Sequence, residues 1–250
     1  MKFTTTMRMI VSAGLIATGV ASIAKAQNSN ALPAHSTVVV VHVKPDMLTE
    51  WIDLEKNEVI PAQKKGGIKT RTTYQTLRGN GFEYTTVTPF EKYAEFDGQS
   101  PMVKALGTDG AARLNAKLRK CEESVQVFVS SPLPELSYRP SNEPLAMGVY
   151  SRYRVANGKM QEYQNFIKTD ILPLYRKAEV GFQTNRRGLG ANGNDFVSIT
   201  WVKDYADLDK GPPTTRILGA DGAAKLAMKR GTMATLIEQV VRRRVADLSF

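Results

Sequence analysis

One nine-residue segment occurs twice in this chain of 250 residues. The segment LGTDGAARL, Leu106 to Leu114, returns as LGADGAAKL, Leu218 to Leu226, displaced by 112 positions. The same displacement pairs Pro61 with Pro173 and holds as far as Ser249. Chance matches would not keep one register over such a length, so the pattern predicts a tandem duplication. Each copy, about 100 residues long, must then form the same set of strands and helices.

The signals within each copy follow the order strand, helix, strand, strand, helix, strand. Asn-Gly pairs predict a hairpin in the middle of each copy. Pro61 and Pro173 are expected to kink or end the first helix of each copy, and Asp109 and Asp221 to cap a segment of the second. The predicted strands are 38–43, 68–77, 82–88 and 125–129 in the first copy, and 149–155, 182–187, 196–202 and 236–241 in the second.

A β-α-β-β-α-β order is that of the ferredoxin-like fold, a four-stranded antiparallel sheet with both helices on one face. The other face of such a sheet needs a cover. We therefore predict an α+β chain of two tandem ferredoxin-like units, with the sheets packed face to face as an intrachain α+β barrel. The predicted organisation is a signal peptide at 1–26, a flexible lead-in at 27–37, the first repeat at 38–139, a linker at 140–146 and the second repeat at 147–250.

The first 26 residues have the layout of a secretory signal peptide. Lys2 and Arg8 precede an apolar stretch from Ile10 to Ile23, and Ala24 and Ala26 are small residues where a signal peptidase reads the chain. Cleavage after Ala26 predicts a periplasmic or secreted bacterial protein. The apolar stretch is shorter than the roughly 20 residues of a membrane-spanning helix, so no transmembrane segment is expected after signal removal.

Charge and cysteine content narrow the expected partners. Cleavage would remove three basic residues and no acid, so the net charge would fall from +10 to +7. The densest basic run, Arg242 to Arg244, is short and is more typical of a solvated face than of a nucleic-acid site. We expect a small amphipathic or anionic molecule as partner, no nucleic acid, and a monomer or homodimer. The single cysteine, Cys121, cannot form an intrachain disulfide and is expected to be buried.

The motifs of catalysis are mostly missing or out of context. Residues 188–193 spell G-x-G-x-x-G, but they lie between two predicted strands instead of opening a helix. The chain has only two histidines, His35 and His42, so no zinc set can be assembled, and we predict neither a metal nor a cofactor. Nothing favours a serine nucleophile, because G-x-S-x-G does not occur. The sequence assigns no catalytic residue.

Alternation along the first strand of each copy defines a candidate binding face. Val38, Val40 and His42 share one face in the first copy, while a tyrosine and two arginines occupy the matching positions in the second. If this face lines the barrel, it suits an amphipathic or anionic molecule. The alternative is that the arginines lie at an exposed edge or pair with acids from the helices. The candidate binding residues are His42, Arg71, Tyr74, Tyr150, Arg152, Arg154 and Trp201.

The element order, the duplication, the proline in the first helix and the Asn-Gly hairpins resemble the dimeric α+β barrel superfamily, most nearly its NIPSNAP-like proteins. The resemblance covers Val38 to Phe250 and implies two ferredoxin-like units joined in a barrel. The superfamily includes cofactor-free monooxygenases, haem enzymes and muconolactone-isomerase-like proteins, so the fold leaves the function open. Three functions remain: an exported protein that binds a small molecule, a cofactor-free monooxygenase or isomerase using His42, an arginine and an aromatic residue, and a structural or interaction module.

Overall fold

Eight antiparallel strands close into a single barrel in this computed structural model, which describes residues 32–140 and 146–250. The predicted signal peptide, residues 27–31 of the predicted lead-in and residues 141–145 of the predicted linker lie outside these residues. The strands are β1 His35–Val43, β2 Thr72–Arg78, β3 Glu83–Phe90, β4 Glu122–Pro132, β5 Met147–Val155, β6 Phe182–Arg187, β7 Asp195–Val202 and β8 Ala234–Arg244. Their order around the barrel is β1-β3-β2-β8-β5-β7-β6-β4.

The helical segments pack on the outside of the barrel. Two of them are single π-helical turns, each set between two α-helices, and short 3-10 turns occur at Pro45–Met47, Tyr93–Phe96, Pro134–Leu136 and Ala246–Leu248. The segments are α1 Leu48–Leu54, a π turn at Glu55–Val59, α2 Ile60–Lys65, α3 Pro101–Cys121, α4 Met160–Phe166, a π turn at Ile167–Ile171, α5 Leu172–Lys177, α6 Tyr205–Asp209 and α7 Pro213–Gly231. Within the described residues, no helix combines the length and the apolar character needed to cross a membrane.

The barrel is closed by hydrogen bonds between sheet edges. Residues 32–140, the first half, contribute the sheet β4-β1-β3-β2, and residues 146–250, the second half, contribute β8-β5-β7-β6. Strand β2 pairs with β8 and strand β4 with β6, so no edge is left unpaired. The α+β class and the barrel are confirmed. The two sheets are joined edge to edge into one continuous antiparallel ladder, and their inner faces oppose each other across the barrel.

Strand β1 begins earlier than predicted. His35 pairs with Phe90 on β3, and its Nδ1 lies 2.8 Å from the Ser131 hydroxyl. Its ring also packs against Phe90 and Tyr93, at centroid distances of 5.3 and 5.0 Å. The end of the predicted lead-in is therefore part of the sheet.

The two central hairpins are present, but the turn geometry differs from the expected one. In the first, Asn80 accepts the Phe82 amide through its side chain and the Glu83 amide through its backbone, both at 3.0 Å. Asn192 makes the same two contacts, to Asn194 and Asp195. Positive φ is found at Gly79 and Gly190 and not at the Asn-Gly pairs. Asparagine side chains that mimic a backbone turn therefore replace the expected primed turn.

The prolines of the first helices neither end nor sharply break them. In both halves a π turn directly precedes the segment that holds the proline, and Ile60 and Leu172 donate five residues back, to Glu55 and Ile167. A proline has no N–H to donate, and its ring crowds the preceding turn. The widened turn accommodates both effects and lets the chain continue helically.

The expected aspartate caps are wrong. Gly107 interrupts α3 at φ 71°, ψ 170°, and Gly219 interrupts α7 at φ 72°, ψ 176°. The helix resumes after each glycine, so Asp109 and Asp221 lie inside the first turn of the resumed segment. Their charge still favours that position, because a helix N-terminus carries partial positive charge. The glycines are needed because this backbone region is accessible almost only to glycine.

The buried side chains form two clusters under the helices and one inside the barrel. In the first half, Val41 and Val43 pack with Trp51 and Leu114, and Cys121 is fully buried there as predicted. The second half has its own cluster in the same place, built on β5, β7 and the α4–α5 region. Helices therefore cover both sheets, and the opposite sheet faces point into the barrel.

Candidate functional site

The register of the strands decides which predicted residues face the barrel interior, which we call the lumen. Residues 39, 41 and 43 of β1 pack under the helices, so Val38, Val40 and His42 face inward. Tyr150, Arg152 and Arg154 of β5 also face inward, because Tyr153 and Val155 belong to the cluster under the helices. The structure places six of the seven candidate residues in the lumen.

The middle of the lumen is filled by aromatic side chains. The rings of Tyr74 and Tyr150 are 5.9 Å apart, and Trp201 lies 5.9 Å from Tyr150 and 6.3 Å from Tyr74. Burial raises the pKa of Tyr150 well above its ordinary value, so the phenol is a neutral donor. Among the described residues, Tyr150 OH, Trp201 Nε1 and Thr85 Oγ1 are buried without a hydrogen-bond partner, and the Tyr74 hydroxyl approaches Tyr150 without hydrogen-bond geometry.

A layer of ion pairs lies beside these aromatics. Arg242 donates to Glu83 at 2.7 Å, Thr76 donates to the same oxygen at 2.7 Å, and His42 Nε2 lies 3.1 Å from the other oxygen. Burial would raise the pKa of Glu83, but the Arg242 charge and these hydrogen bonds hold it below its ordinary value. His42 also bonds the Ser124 hydroxyl at 2.8 Å. Its two ring nitrogens are thus both engaged by neighbouring strands.

The two arginines of β5 pair with acids on adjacent strands. Arg154 Nε donates to Asp195 at 2.8 Å and Arg152 donates to the other oxygen at 3.2 Å, while Arg152 also contacts Glu238 at 3.4 Å. Burial works against ionisation of Asp195, yet the hydrogen bonds from Arg154 and Arg152 lower its pKa. The predicted alternative of acid pairing is therefore present, but the acids come from β7 and β8 and not from the helices.

The prediction that Arg71 completes the lumen pocket is wrong. Arg71 precedes β2 on the helix side of the sheet, is 2% exposed and forms an ion pair with Glu55 of the first π turn. It also donates to Gln63 at 3.0 Å, to Thr73 at 3.2 Å and to Thr86 at 3.3 Å. Its guanidinium is committed to holding helix and sheet together.

A small cavity that the sequence did not indicate lies on the same side of the sheet in the second half. We call it the helix–sheet cavity. It is about 60 Å³ in volume and lies between the α4–α5 region and strands β5, β6 and β7. It is lined by Ser151, Tyr153, Tyr163, Phe166, Ile167, Ile171, Tyr175, Phe182, Ser198, Thr200 and Arg230.

The polar groups of the helix–sheet cavity are the hydroxyls of its tyrosines, serines and threonine, which can donate hydrogen bonds, and the Arg230 cation. The Tyr175 hydroxyl bonds Thr200 Oγ1 at 2.9 Å, and the Arg230 guanidinium lies 4.6 Å from the Tyr153 ring centroid. Burial raises the pKa of both Tyr163 and Tyr175, so their hydroxyls stay protonated near neutral pH. No carboxylate or imidazole belongs to this lining. The arrangement can bind an aromatic ring and stabilise a negative charge at its edge.

Matching contacts show what fills the corresponding region of the first half. Thr73 donates its backbone amide to the Ser249 hydroxyl and its own hydroxyl to Leu248 O. Thr184 donates in the same way to the Ser137 hydroxyl and to Leu136 O. Thr73 and Thr184 are therefore equivalent, at a displacement of 111, and the residues two positions before them are Arg71 and Phe182. Glu55 and Ile167 open the two π turns. An ion pair in the first half thus stands where the second half has apolar side chains and a cavity.

This equivalence could have been found from the sequence only by allowing a one-residue shift. The displacement is 112 at the π turns, 111 at Thr73 and Thr184, and 112 again at Tyr84 and Phe196, which occupy the same pairing position on β3 and β7. The longer loop before β7 restores the register. A comparison at a constant displacement of 112 therefore pairs Arg71 with Gln183 instead of with its structural equivalent, Phe182.

Comparison with solved structures identifies the fold. The chain is similar to a chlorite dismutase from Candidatus Nitrospira defluvii, at 9% identity over 88% of this chain and 94% of that chain, with a TM-score of 0.55. It is similar to an anthrone oxidase-like protein, at 8% identity over 87% and 93%, with a TM-score of 0.55. A candidate monooxygenase from Fusobacterium nucleatum subsp. nucleatum gives 12% identity over 86% and 93%, with a TM-score of 0.54. The chain has the dimeric α+β barrel fold. No family model and no curated protein matches the chain.

Haem, the cofactor of some enzymes in the superfamily that the sequence resembles, does not fit the residues of the helix–sheet cavity. Haem iron needs an axial side chain, commonly histidine and in some proteins tyrosine. Burial keeps Tyr163 and Tyr175 of this cavity protonated, which disfavours the anion that would bind iron. His35 is held by Ser131, and His42 lies in the lumen, so neither reaches the helix–sheet cavity. The cavity, about 60 Å³, is also far smaller than ordinary cofactor sites. Within the described residues, no three metal-binding side chains are grouped to hold an ion.

Proposed function

We propose that this protein is a cofactor-free oxygenase that binds a small phenolic or enolisable aromatic molecule at the helix–sheet cavity. The observation that carries the proposal is the set of three tyrosines and Arg230 around a buried space of about 60 Å³. Such a volume holds dioxygen or the edge of a ring, as a water takes up about 30 Å³ in the liquid. A whole aromatic substrate requires the Arg230 side chain to move. Solved proteins of this fold that are described as oxidase-like or as a candidate monooxygenase support the reaction class.

The residues of the cavity define the substrate's chemistry. Arg230 supplies positive charge for a phenolate or enolate, and the protonated tyrosines orient the substrate as donors. Because their pKa values are raised by burial, Tyr163 and Tyr175 do not serve as bases near neutral pH. The substrate must therefore be acidic enough to ionise itself or to lose its proton to solvent before it meets dioxygen. His42, which the sequence suggested for such chemistry, lies in the lumen and does not reach this cavity.

The test is dioxygen uptake by the purified chain with a panel of phenols and anthrones. Arg230→Gln should lower kcat/KM at least about tenfold, as expected for loss of one charge-assisted contact to the anion. Arg216→Gln is the matched control, because Arg216 is an exposed arginine of the same helix. Equal uptake by the parent chain and Arg230→Gln, or no uptake with any substrate of the panel, would contradict the proposal.

The second candidate function is non-catalytic binding of a small amphipathic molecule in the lumen by His42, Tyr74, Tyr150, Arg152, Arg154 and Trp201. It is favoured by the buried polar atoms of Tyr150, Trp201 and Thr85 that have no partner in the described residues. Native mass spectrometry of the protein purified from its source is the test. An organic adduct that Trp201→Phe fails to retain would support this function, and a bare parent protein would count against it.

We also propose that the chain is a tandem duplication of a ferredoxin-like unit, most similar to NIPSNAP-like proteins, and that it is exported. The π turns at Glu55–Val59 and Ile167–Ile171 and the kinks at Gly107 and Gly219 support duplication, because each pair is displaced by 112 residues. Export rests on the sequence of residues 1–26. N-terminal sequencing after expression in a Gram-negative host tests it, with Gln27 as the expected first residue.

A further inference from the structure

We propose that Arg187 is the centre of a binding site for a small oxyanion inside the lumen. Arg187 is the last residue of β6 and pairs with Ser130 on β4. It lies on the lumen side of the sheet, whereas the helix–sheet cavity lies on the other side. The proposal is therefore independent of the oxygenase function.

The Arg187 side chain is buried without a carboxylate. Only 8% of the residue is exposed, and its Nε has no hydrogen-bond partner among the described residues. Its guanidinium stacks on Phe128, with 3.8 Å between Cζ and the ring centroid, and makes one bond of 3.3 Å to the Gln126 side chain. Burying a guanidinium is costly unless an anion compensates its charge.

The nearby acids are already engaged by other arginines. Asp195 follows in register opposite Arg187, yet its two oxygens accept from Arg154 and Arg152. Glu238 contacts Arg152, and Glu83 accepts from Arg242. These four guanidiniums share three carboxylates, and Arg187 is the one that lacks an ion pair in the described residues. Burial and the Arg152 charge lower the pKa of Arg187, and the charges of Asp195 and Glu238 offset this only in part.

The geometry points to a small planar or tetrahedral oxyanion. The stacked guanidinium presents its Nε edge, and an Nε–Nη pair is the fork that binds carboxylate or phosphate through two parallel bonds. Because only 8% of Arg187 is exposed, the anion must be small. Arg152 and Arg154, whose side chains are 23% and 46% exposed, carry further positive charge on the lumen side of β5, and such charge raises the local concentration of anions.

The backbone around Arg187 holds this arrangement in place. The Gly188 amide donates to Val129 O and the Val129 amide donates to Leu189 O, both at 2.8 Å. A side chain at Gly190 would collide with the backbone of Val127, whose oxygen would lie 2.4 Å from the added carbon. The Gly-Leu-Gly sequence after β6 thus lets this loop lie directly on β4 and fixes Arg187 above Phe128.

Thermal unfolding and calorimetry with inorganic phosphate test the site, with acetate and chloride compared at matched ionic strength. We expect a saturable stabilisation by phosphate or acetate that chloride does not reproduce. Arg187→Gln should weaken that binding at least about tenfold. The control Arg176→Gln removes an exposed arginine of α5 and should bind phosphate like the parent chain.

A second measurement needs no folded glutamine variant. In the parent chain, the ¹⁵Nε–H resonance of Arg187, assigned by its loss in Arg187→Lys, should shift on titration with phosphate. Saturable shifts of this resonance support the site. Stabilisation equal to that by chloride, undiminished phosphate binding by Arg187→Gln, or an Arg187 resonance that does not respond would each overturn the proposal.

Discussion

Exchanging the Glu55–Arg71 pair for the residues of the other half tests how the two halves are related. Ile167 and Phe182 occupy the equivalent positions, so the perturbation is Glu55→Ile with Arg71→Phe, made singly and together. The pair is almost fully buried, with Arg71 2% and Glu55 6% exposed, and Arg71 also bonds Gln63, Thr73 and Thr86.

The expected changes in unfolding free energy follow from the burial of both charged side chains. Removing one partner leaves the other buried and uncompensated, which costs about 3–5 kcal/mol of unfolding free energy. Replacing both by apolar residues is expected to be nearly neutral or stabilising, by up to roughly 4 kcal/mol. For a chain of this size each kcal/mol shifts Tm by about 2–4 °C, so each single variant should lose roughly 6–20 °C.

Urea unfolding of the four chains gives the coupling energy directly. Lys56→Met serves as the control, because its 2.7 Å contact to Asp247 is a surface ion pair worth less than about 1 kcal/mol. We expect the double variant to be more stable than either single variant, with a coupling of at least about 3 kcal/mol. Additive losses would refute the reasoning, since they would mean that Glu55 and Arg71 stabilise the fold separately.

Three further predictions follow from other parts of the structure. The reverse exchange, Ile167→Glu with Phe182→Arg, should fill the helix–sheet cavity and remove any dioxygen uptake while circular dichroism stays that of the parent; retained uptake would contradict the proposed site. Gly107→Ala should cost about 1–3 kcal/mol in urea unfolding, because φ 71° with ψ 170° excludes a side chain although no atom lies near enough to collide with it, whereas Gly98→Ala, with neither constraint, should be neutral. Asp195→Asn should destabilise the chain near neutral pH, and the difference from the parent should begin to shrink as the pH falls below about 4, the ordinary aspartate pKa. Burial opposes ionisation of Asp195, but the bonds from Arg154 and Arg152 lower its pKa, so its stabilisation is present above the ordinary aspartate pKa and is lost as the pH falls through the folded-state pKa. A difference that does not decrease at all as the pH is lowered from neutral into the acid range would contradict this assignment.

The order of elements was predictable because it depends on local signals. Val38 to Val43, the Asn-Gly pairs and the amphipathic segments specify strands, hairpins and helices from neighbours in sequence. Alternation grouped alternate residues of β1 and of β5 on one face each, but the register of the strands was needed to show that these faces line the lumen. The start of β2 was not predictable: residues 68–71 are β-compatible, yet the backbone of Arg71 pairs with Phe250 while the pairing with β3 begins at Thr72. Phe250 is distant from Arg71 along the chain, so local signals could not reveal this contact.

The candidate sites were less predictable than the fold, because both depend on the absence of a partner. The sequence shows which residues are present but not which of their neighbours are already engaged. Arg187 resembles Arg152 and Arg154 in sequence, and only the engagement of Asp195 by its neighbours leaves it without a carboxylate. The cavity likewise exists because Phe182 and Ile167 do not reproduce the ion pair of the other half. In a barrel built from two similar units, the residues that differ between equivalent positions therefore carry more information about function than the segments that both units share. The shared Leu-Gly-x-Asp-Gly-Ala-Ala segment illustrates the point, since its glycine is required by the backbone and its aspartate is exposed.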